Sequence, residues 1–306
     1  VTHVASSEQV RVRVPGKINL ALRVGALAPD GYHPLISIFQ AVSIYDEVTV
    51  TPIRRGRVTA EVSGPQASRV PTDGRNLAVK AARHLAEHLE QVPTGVHIAI
   101  RKEIPVAGGM AGGSADAAAT LLACSTLWQT GLTIHDLAQL AATLGSDVPF
   151  PLVGGIAVGT GRGDKLVPAL SRGVYHWVLA LSDGELSTPA VYRRFDALGA
   201  VNEPLDVPAE LMNGLAAGDP VQVGRHLAND LQAAAVDMQP QLRRVLDAGA
   251  ERGALGALVS GSGPTVAFLT ADEETAIDLS VALSGEGVCR AVRRASGPVP
   301  GARVIG

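Results

Sequence analysis

Between residues 104 and 122 the chain reads IPVAGGMAGGSADAAATLL, and no other stretch constrains the fold as tightly. Gly108, Gly109, Gly112 and Gly113 loosen the backbone directly ahead of an alanine-rich run that favours helix. A helix start presents backbone N–H groups without intrahelical partners, together with about half a positive charge. Phosphate is the ligand that fits such a place. Glycines upstream let the backbone approach phosphate oxygens with no Cβ in the way, and the alanines after Ser114 keep the helix start stiff and slim. The same residues also read as an ordinary glycine turn, with Ser114 as N-cap and Asp116 complementing the helix dipole. Two familiar phosphate motifs do not apply. No Gly-Lys-Ser/Thr ending is present, which excludes a P-loop. The spacing is not G-x-G-x-x-G and several residues separate it from the preceding strand, which argues against a dinucleotide-binding turn.

The 306 residues are 46% hydrophobic, enough for a sizeable core in one large domain or two ordinary ones. A net charge of −3 supplies no overall basic field, so no nucleic-acid partner is expected. The opening VTHVASSEQVRVRV has no apolar leader core, and no run approaches the length of a membrane helix, so no membrane partner is expected either. Cys124 and Cys289 lie far apart without metal-ligand spacing, which suggests reduced thiols and a cytoplasmic setting.

Valine–arginine alternation over 10–14 predicts a strand, and residues 36–50 hold two more β-rich runs. RVTAEVSG predicts another, and 63–75 a loop. Leu77, Ala81, Leu85 and Leu89 recur at helical spacing, predicting a helix over about 76–91. GVHIAI is a short strand. The glycine loop then leads into a helix over about 114–129, and Thr133 with Asp136 forms a capping-box pattern for a helix ending at Gly145. After residue 160 a strand, a helical region over about 188–251, two strands, a helix over 272–284 and a last strand follow. With the helical region collapsed, the order is β-α-β-β-α-β, the ferredoxin-like arrangement. The division falls near residue 160, giving domains 1–160 and 161–306.

Three segments together resemble the superfamily of galactokinase, homoserine kinase, mevalonate kinase and phosphomevalonate kinase (GHMP kinases). PGKINLALRV (15–24) is similar to its first motif, the glycine loop to its second and GALVSGSGPTV (256–266) to its third. KINLAL, DGYHPL and LGSDVPF further resemble the branch that acts on a cytidyl-diphosphate-linked methylerythritol. The likeness runs from about residue 13 to the C-terminus. It implies an α+β, two-lobed fold: a strand-rich N-terminal nucleotide-binding lobe, a ferredoxin-like C-terminal lobe, and an active site in the cleft. It also implies ATP as phosphate donor, Mg²⁺ arriving with the nucleotide, and transfer to the 2-hydroxyl of the cytidyl-diphospho-methylerythritol. The small-molecule partners are then ATP and that alcohol, bound by a monomer or homodimer.

Asp147 matches the family's catalytic aspartate and Lys17 its catalytic lysine. By themselves the two read as a turn-former and a solvated strand-edge charge. The chain has only four lysines, so Lys17 and Lys102 beside two of the motifs are informative. A carboxylate takes the proton of the attacking hydroxyl, while a nearby ammonium stabilises charge at the transferring group. The resemblance assigns the ATP phosphates to Gly108, Gly109, Gly112, Gly113 and Ser114. It assigns the rest of the nucleotide to Asn76, Leu77, Lys102 and Pro105, which also read as a helix cap, a core leucine and loop or surface positions. Tyr32 would stack on the cytosine, Tyr192 close its other face, and His33 hydrogen-bond its edge through backbone or side chain. Asn19 and Ser262 would touch the methylerythritol end. DGYH and GSGPT also read as plain turns.

Departures from the family pattern centre on the loop, where many members read G-L-G-G-G-S-S. Here Met110 replaces leucine, Ala111 glycine and Ala115 serine. Ala111 puts a methyl beside the phosphate path. Two other readings remain. A GHMP kinase acting on mevalonate or homoserine would not need the Tyr32–Tyr192 pair. HLAEH (84–88) is formally the inverted zinc-protease motif, and also an amphipathic helix with histidines at its flank.

Overall fold

The computed structural model describes residues 9–89, 92, 94–199 and 205–305. The first eight residues and position 91, each read above from sequence, lie outside them. The alternating 10–14 segment opens β1 (Val10–Val24), which runs on through the first motif. The two β-rich runs over 36–50 form one strand of 19 residues, β2 (Leu35–Ile53). Only Asp46 separates them, and its side chain accepts from Glu103 N and Ile104 N rather than closing a turn. Instead the β1–β2 register shifts between Pro15 and Gly16 and again between Asn19 and Ala21. Such bulges absorb the mismatch and bend the pair without ending it.

After β3 (Val58–Ser63) come α1 (Leu77–His88), β4 (Gly95–Arg101), α2 (Gly112–Leu127), α3 (Ile134–Leu144), α4 (Pro149–Val153), β5 (Ile156–Thr160) and β6 (Lys165–Pro168). Asn76 caps α1 by accepting from Ala78 N, and Thr133 and Asp136 form the capping box of α3. The second lobe holds β7 (Tyr175–Leu181), α5 (Thr188–Leu198), α6 (Ala209–Ala217), α7 (Pro220–Arg225), β8 (Ala228–Asn229), α8 (Gln232–Met238) and α9 (Gln241–Glu251). It continues with β9 (Gly256–Val259), β10 (Thr265–Thr270), α10 (Glu273–Glu286) and β11 (Ala291–Gly297), before β12 (Arg303–Val304) ends the chain's regular structure.

The first sheet is ordered β12-β1-β2-β4-β3, with β5 on β2, β6 on β5 and β8 on β1. α2 lies against β1 and β2, and α1 against β3 and β4. The second sheet is antiparallel in the order β11-β7-β10-β9, which is the ferredoxin-like arrangement. The expected division near residue 160 falls inside the β5–β6 hairpin of the first sheet, and β8 and β12 return to that sheet from the second half.

One hydrophobic cluster spans both sheets, joining Val12, Ile98 and Ala117 to Trp177, Leu258 and Leu269. A second lies within the C-terminal lobe around Phe195, Leu242 and Phe268. The Trp177 indole N–H donates to Gln40 Oε1 at 2.7 Å, tying β7 to β2 inside the protein. Among the described residues, no helix is long and apolar enough to cross a membrane.

Candidate active site

α2 starts at Gly112, two residues before the sequence reading places it. Its N-cap is Ala111, at φ 57° and ψ 33°, and no side chain caps the helix. Ser114 therefore sits inside the first turn and is not the cap. The reason lies upstream. Ala107, Gly109 and Ala111 all take positive φ, at alternate positions. Alternation of this kind turns successive backbone amides to one side, the geometry of an anion-binding nest. The first-turn N–H groups of α2 are thus left without a side-chain acceptor.

Two glycines show what the loop must accommodate. A Cβ on Gly109 would lie 2.0 Å from the Ser260 carbonyl oxygen, so the third motif closes on the second there. Ser260 Oγ also donates to Gly109 O at 3.1 Å, and Lys17 N to Met110 O at 3.2 Å. The three motif segments therefore meet at the loop. Gly113 is different. It is exposed, and a Cβ there would meet only Leu77 Cδ1, at an ordinary 3.7 Å. Packing inside the chain does not demand glycine at 113.

Beside the loop a cleft of about 1320 Å³ opens between the lobes. Lys17, Asn19, Gly109, Asp147 and Ser262 line its inner end. Lys17 and Asn19 lie two apart on β1 and so share a face. Lys17 Nζ donates to Asn19 Oδ1 at 2.7 Å, and Asn19 Nδ2 donates to Ser37 Oγ at 2.7 Å. Lys17 is 4% exposed, with its ammonium 5.4 Å from the Phe39 ring centroid. Asp147 enters from the turn between Gly145, which ends α3, and Pro149, which starts α4. Its Oδ2 stands 3.5 Å from Lys17 Nζ, with the carboxylate open to the cleft. Ser262 shares a hydrogen bond of 2.8 Å with the Thr188 hydroxyl.

Tyr32, His33 and Tyr192 line the outer end. Tyr32 is 52% exposed. The Arg162 guanidinium, from the β5–β6 turn, sits 3.5 Å over its ring and pairs with Asp30 at 3.3 Å. His33 is buried, its ring 5.3 Å from that of Tyr192. Both its ring nitrogens are engaged: Nδ1 with Gly25 O at 2.8 Å and Nε2 with Asp196 Oδ1 at 3.3 Å. Of the two routes considered from sequence, side chain or backbone, only the His33 backbone is without a hydrogen bond among the described residues. Burial first, then the negative charge of Asp147, pushes the Tyr192 phenol well up, so it stays neutral.

The remaining residues singled out from sequence lie outside this cleft. Leu77 and Gly113 meet where α1 and α2 begin, with Asn76 beneath, its side chain taken up by Ala78 N and Pro71 O. Pro105 backs Gly108, and Gly112 lies over Lys102. Lys102 is buried, paired with Asp46 and, at 2.8 Å, with Asp116. Asp46 also accepts from Glu103 N at 2.6 Å and Ile104 N at 2.9 Å. Among the described residues Asp116 Oδ1 has no partner. Burial pushes the Asp116 carboxyl well above its usual 3.8, against the pull of Lys102. Burial opposes the Lys102 charge, but Asp116 and Asp46 together outweigh it and raise its pKa.

Arg162, Ser37 and Asp46 were not singled out from sequence, and Asp116 was read only as complementing the helix dipole. Arg162 lies in TGRGDK, which signals only a turn, and Asp46 is an acidic residue inside a β-rich run. In HLAEH, His84 Nε2 is engaged by the Thr143 hydroxyl at 2.8 Å. Among the described residues no three His, Cys, Asp or Glu side chains are grouped to hold a metal ion.

Uncapped loop, inter-lobe cleft and ferredoxin-like second lobe define a class. The family described as "GHMP kinases N terminal domain" matches residues 76–155, and "GHMP kinases C terminal" matches residues 211–289. A protein of Nocardia farcinica named 4-diphosphocytidyl-2-C-methyl-D-erythritol kinase is 55% identical over 97% of this chain and 96% of its own. A crystal structure of 4-(cytidine 5'-diphospho)-2C-methyl-D-erythritol kinase superposes with TM-score 0.74 at 33% identity, covering 93% of this chain and 98% of that one. Homoserine kinase from Cytophaga hutchinsonii superposes with TM-score 0.77 over 100% of both chains at 19% identity, a likeness of fold alone. The chain belongs to the 4-diphosphocytidyl-2-C-methyl-D-erythritol kinase family of the GHMP kinases.

Proposed function

We propose that the protein transfers the γ-phosphoryl group of ATP to the 2-hydroxyl of 4-diphosphocytidyl-2-C-methyl-D-erythritol, a step of the non-mevalonate route to isoprenoids. The single observation that carries the chemistry is the Lys17–Asp147 pair, 3.5 Å apart at the inner end of the cleft beside Gly109. Asp147 Oδ2 accepts the proton of the 2-hydroxyl as its oxygen attacks the γ-phosphorus. The bond from that phosphorus to the bridging oxygen breaks, and ADP leaves with the bond electrons. Lys17, fixed by Asn19 and poorly hydrated, stabilises the charge that spreads over the transferring oxygens. Positioning and electrostatics supply most of the rate, since phosphoryl transfer needs little covalent help.

The ATP phosphates rest on the nest and first turn of α2, from Gly108 to Ser114, with the adenine side toward Leu77 and Asn76. Lys102 acts from behind: it holds Asp116 of α2 and does not touch the nucleotide. Tyr32 and Tyr192 flank the cytosine, His33 offers its main chain to the base edge, and Ser262 supports the methylerythritol end. No three His, Cys, Asp or Glu side chains are grouped for a cation among the described residues, and Mg²⁺ arriving with ATP would be held mainly by the phosphates and water. The setting we assign is cytoplasmic.

A phosphate-transfer assay comparing the cytidyl-diphospho-methylerythritol with mevalonate and homoserine tests the substrate. Turnover only with the first is expected; preference for either other alcohol would overturn it. D147N should bind both substrates normally and lose about 10²–10⁴-fold in kcat. Wild-type turnover would remove the base role.

A further inference from the structure

The strands beneath the phosphate loop have an outer face, and it is basic. Side chains alternate along a strand. On β2 the inward Asp46 lies between Tyr45 and Glu47, and just past β4 the inward Lys102 lies between Arg101 and Glu103. These four outward neighbours line a second cavity, of about 510 Å³, where the two sheets meet. Arg13 of β1 and Arg293 and Arg294 of β11 complete its basic wall. Glu47 is matched by Arg11 and Arg13, and Glu103 lies 3.8 Å from Arg101. Arg293 and Arg294 are exposed and have no carboxylate partner among the described residues.

We propose that this cavity is a second anion site, taking a small phosphate- or diphosphate-bearing molecule, whose occupancy is felt at the phosphate loop through Asp46, Lys102 and Asp116. Guanidinium forks match phosphate oxygens two at a time. The volume exceeds what a bare phosphate fills, and Ile44 and Tyr45 give the organic part an apolar wall. Continuity to the loop is short. Glu103, in the cavity wall, gives its N–H to Asp46; Asp46 pairs with Lys102; Lys102 holds Asp116 in the early turns of α2 at 2.8 Å. A bland alternative is that the β11 arginines merely discourage pairing at a sheet edge; it predicts no ligand.

The test is a calorimetric titration of inorganic diphosphate into protein saturated with a non-hydrolysable ATP analogue and the cytidyl-diphospho-methylerythritol, so that the loop and the cleft are both filled. Saturable binding is expected, weakened at least tenfold by R293E/R294E and in the same direction by R293Q/R294Q. Both double variants should keep wild-type turnover when diphosphate is absent. Diphosphate should also shift the affinity for the ATP analogue at least twofold in wild type beyond any shift in R293E/R294E. No saturable binding, or equal binding by the variants, overturns the site. Binding lost in the variants without that difference in nucleotide affinity overturns the coupling.

Discussion

Lys102 is held between two carboxylates whose surroundings differ, and single substitutions should separate them. Asp46 has two backbone donors besides the lysine, whereas Asp116 has the lysine alone and an orphaned oxygen. D46N breaks a fully buried pair and should cost about 3–5 kcal/mol in urea unfolding. D116N should cost less than D46N, because burial already disfavours the Asp116 charge and one of its oxygens has no partner among the described residues. The sign follows from linkage. A carboxyl raised in the folded state stabilises most below its unfolded value of 3.8, and that contribution is lost as pH rises through the folded pKa. The stability of D116N relative to wild type should therefore rise as pH increases above 3.8; a flat difference would refute the shift. Gly113 gives a second residue-scale test. G113A has room and a helical backbone, so it should leave stability unchanged or raise it by roughly 0.4–1 kcal/mol. Its methyl faces the proposed phosphate path, and the KM for ATP should rise at least tenfold in steady-state assays. An unchanged KM would move the phosphates away from α2.

At the scale of elements, the start of α2 and the outer end of the cleft are each built from parts that do not adjoin in sequence. Ala111 holds a left-handed conformation that costs a non-glycine residue about 1–3 kcal/mol. A111G should recover roughly 0.5–1 kcal/mol after the added freedom of the unfolded chain is subtracted, measured by urea unfolding. A loss of stability would mean that the Ala111 methyl packs. At the outer end, the β1–β2 connection brings Tyr32, α5 brings Tyr192 and the β5–β6 turn brings Arg162. Y32A should raise the KM for the cytidyl substrate roughly 5- to 150-fold, the equivalent of about 1–3 kcal/mol of stacking, and leave the KM for ATP alone. A collapse of ATP affinity instead would overturn the assignment of Tyr32 to the base.

The whole molecule is two-lobed in its sheets yet continuous in its core. β8 and β12 cross back to the first sheet, and one apolar cluster includes side chains of both. Trp128 ends α2 in the first lobe, and Trp177 lies on β7 in the second. Within each single-tryptophan variant, the fluorescence midpoint in guanidinium should coincide with the far-ultraviolet circular-dichroism midpoint, since a shared core cannot melt by halves. Two separated midpoints would show that the lobes fold independently. W177F also leaves Gln40 without its 2.7 Å partner and should lower that common midpoint, by about 1–3 kcal/mol for an orphaned buried amide.

What the chain's order of residues determined unaided is local. The capping box of α3, the Asn76 cap, the flexible loop ahead of a stiff helix and the ferredoxin-like succession all depend on neighbours within a few positions, whose propensities the folded state keeps. Glycine and alanine counts also foretold that something unhelical precedes α2, but not that Ala111 would be its cap. Tertiary structure alone decided the rest. Arg162 covers Tyr32 from 130 residues away, β2 runs unbroken because bulges in it and in β1 keep the two paired, and Lys102 turns inward because Asp46 and Asp116 converge on it. Such contacts are chosen by how sheets and helices pack and by which charges burial leaves in need of partners, and neither is written in the spacing of one segment.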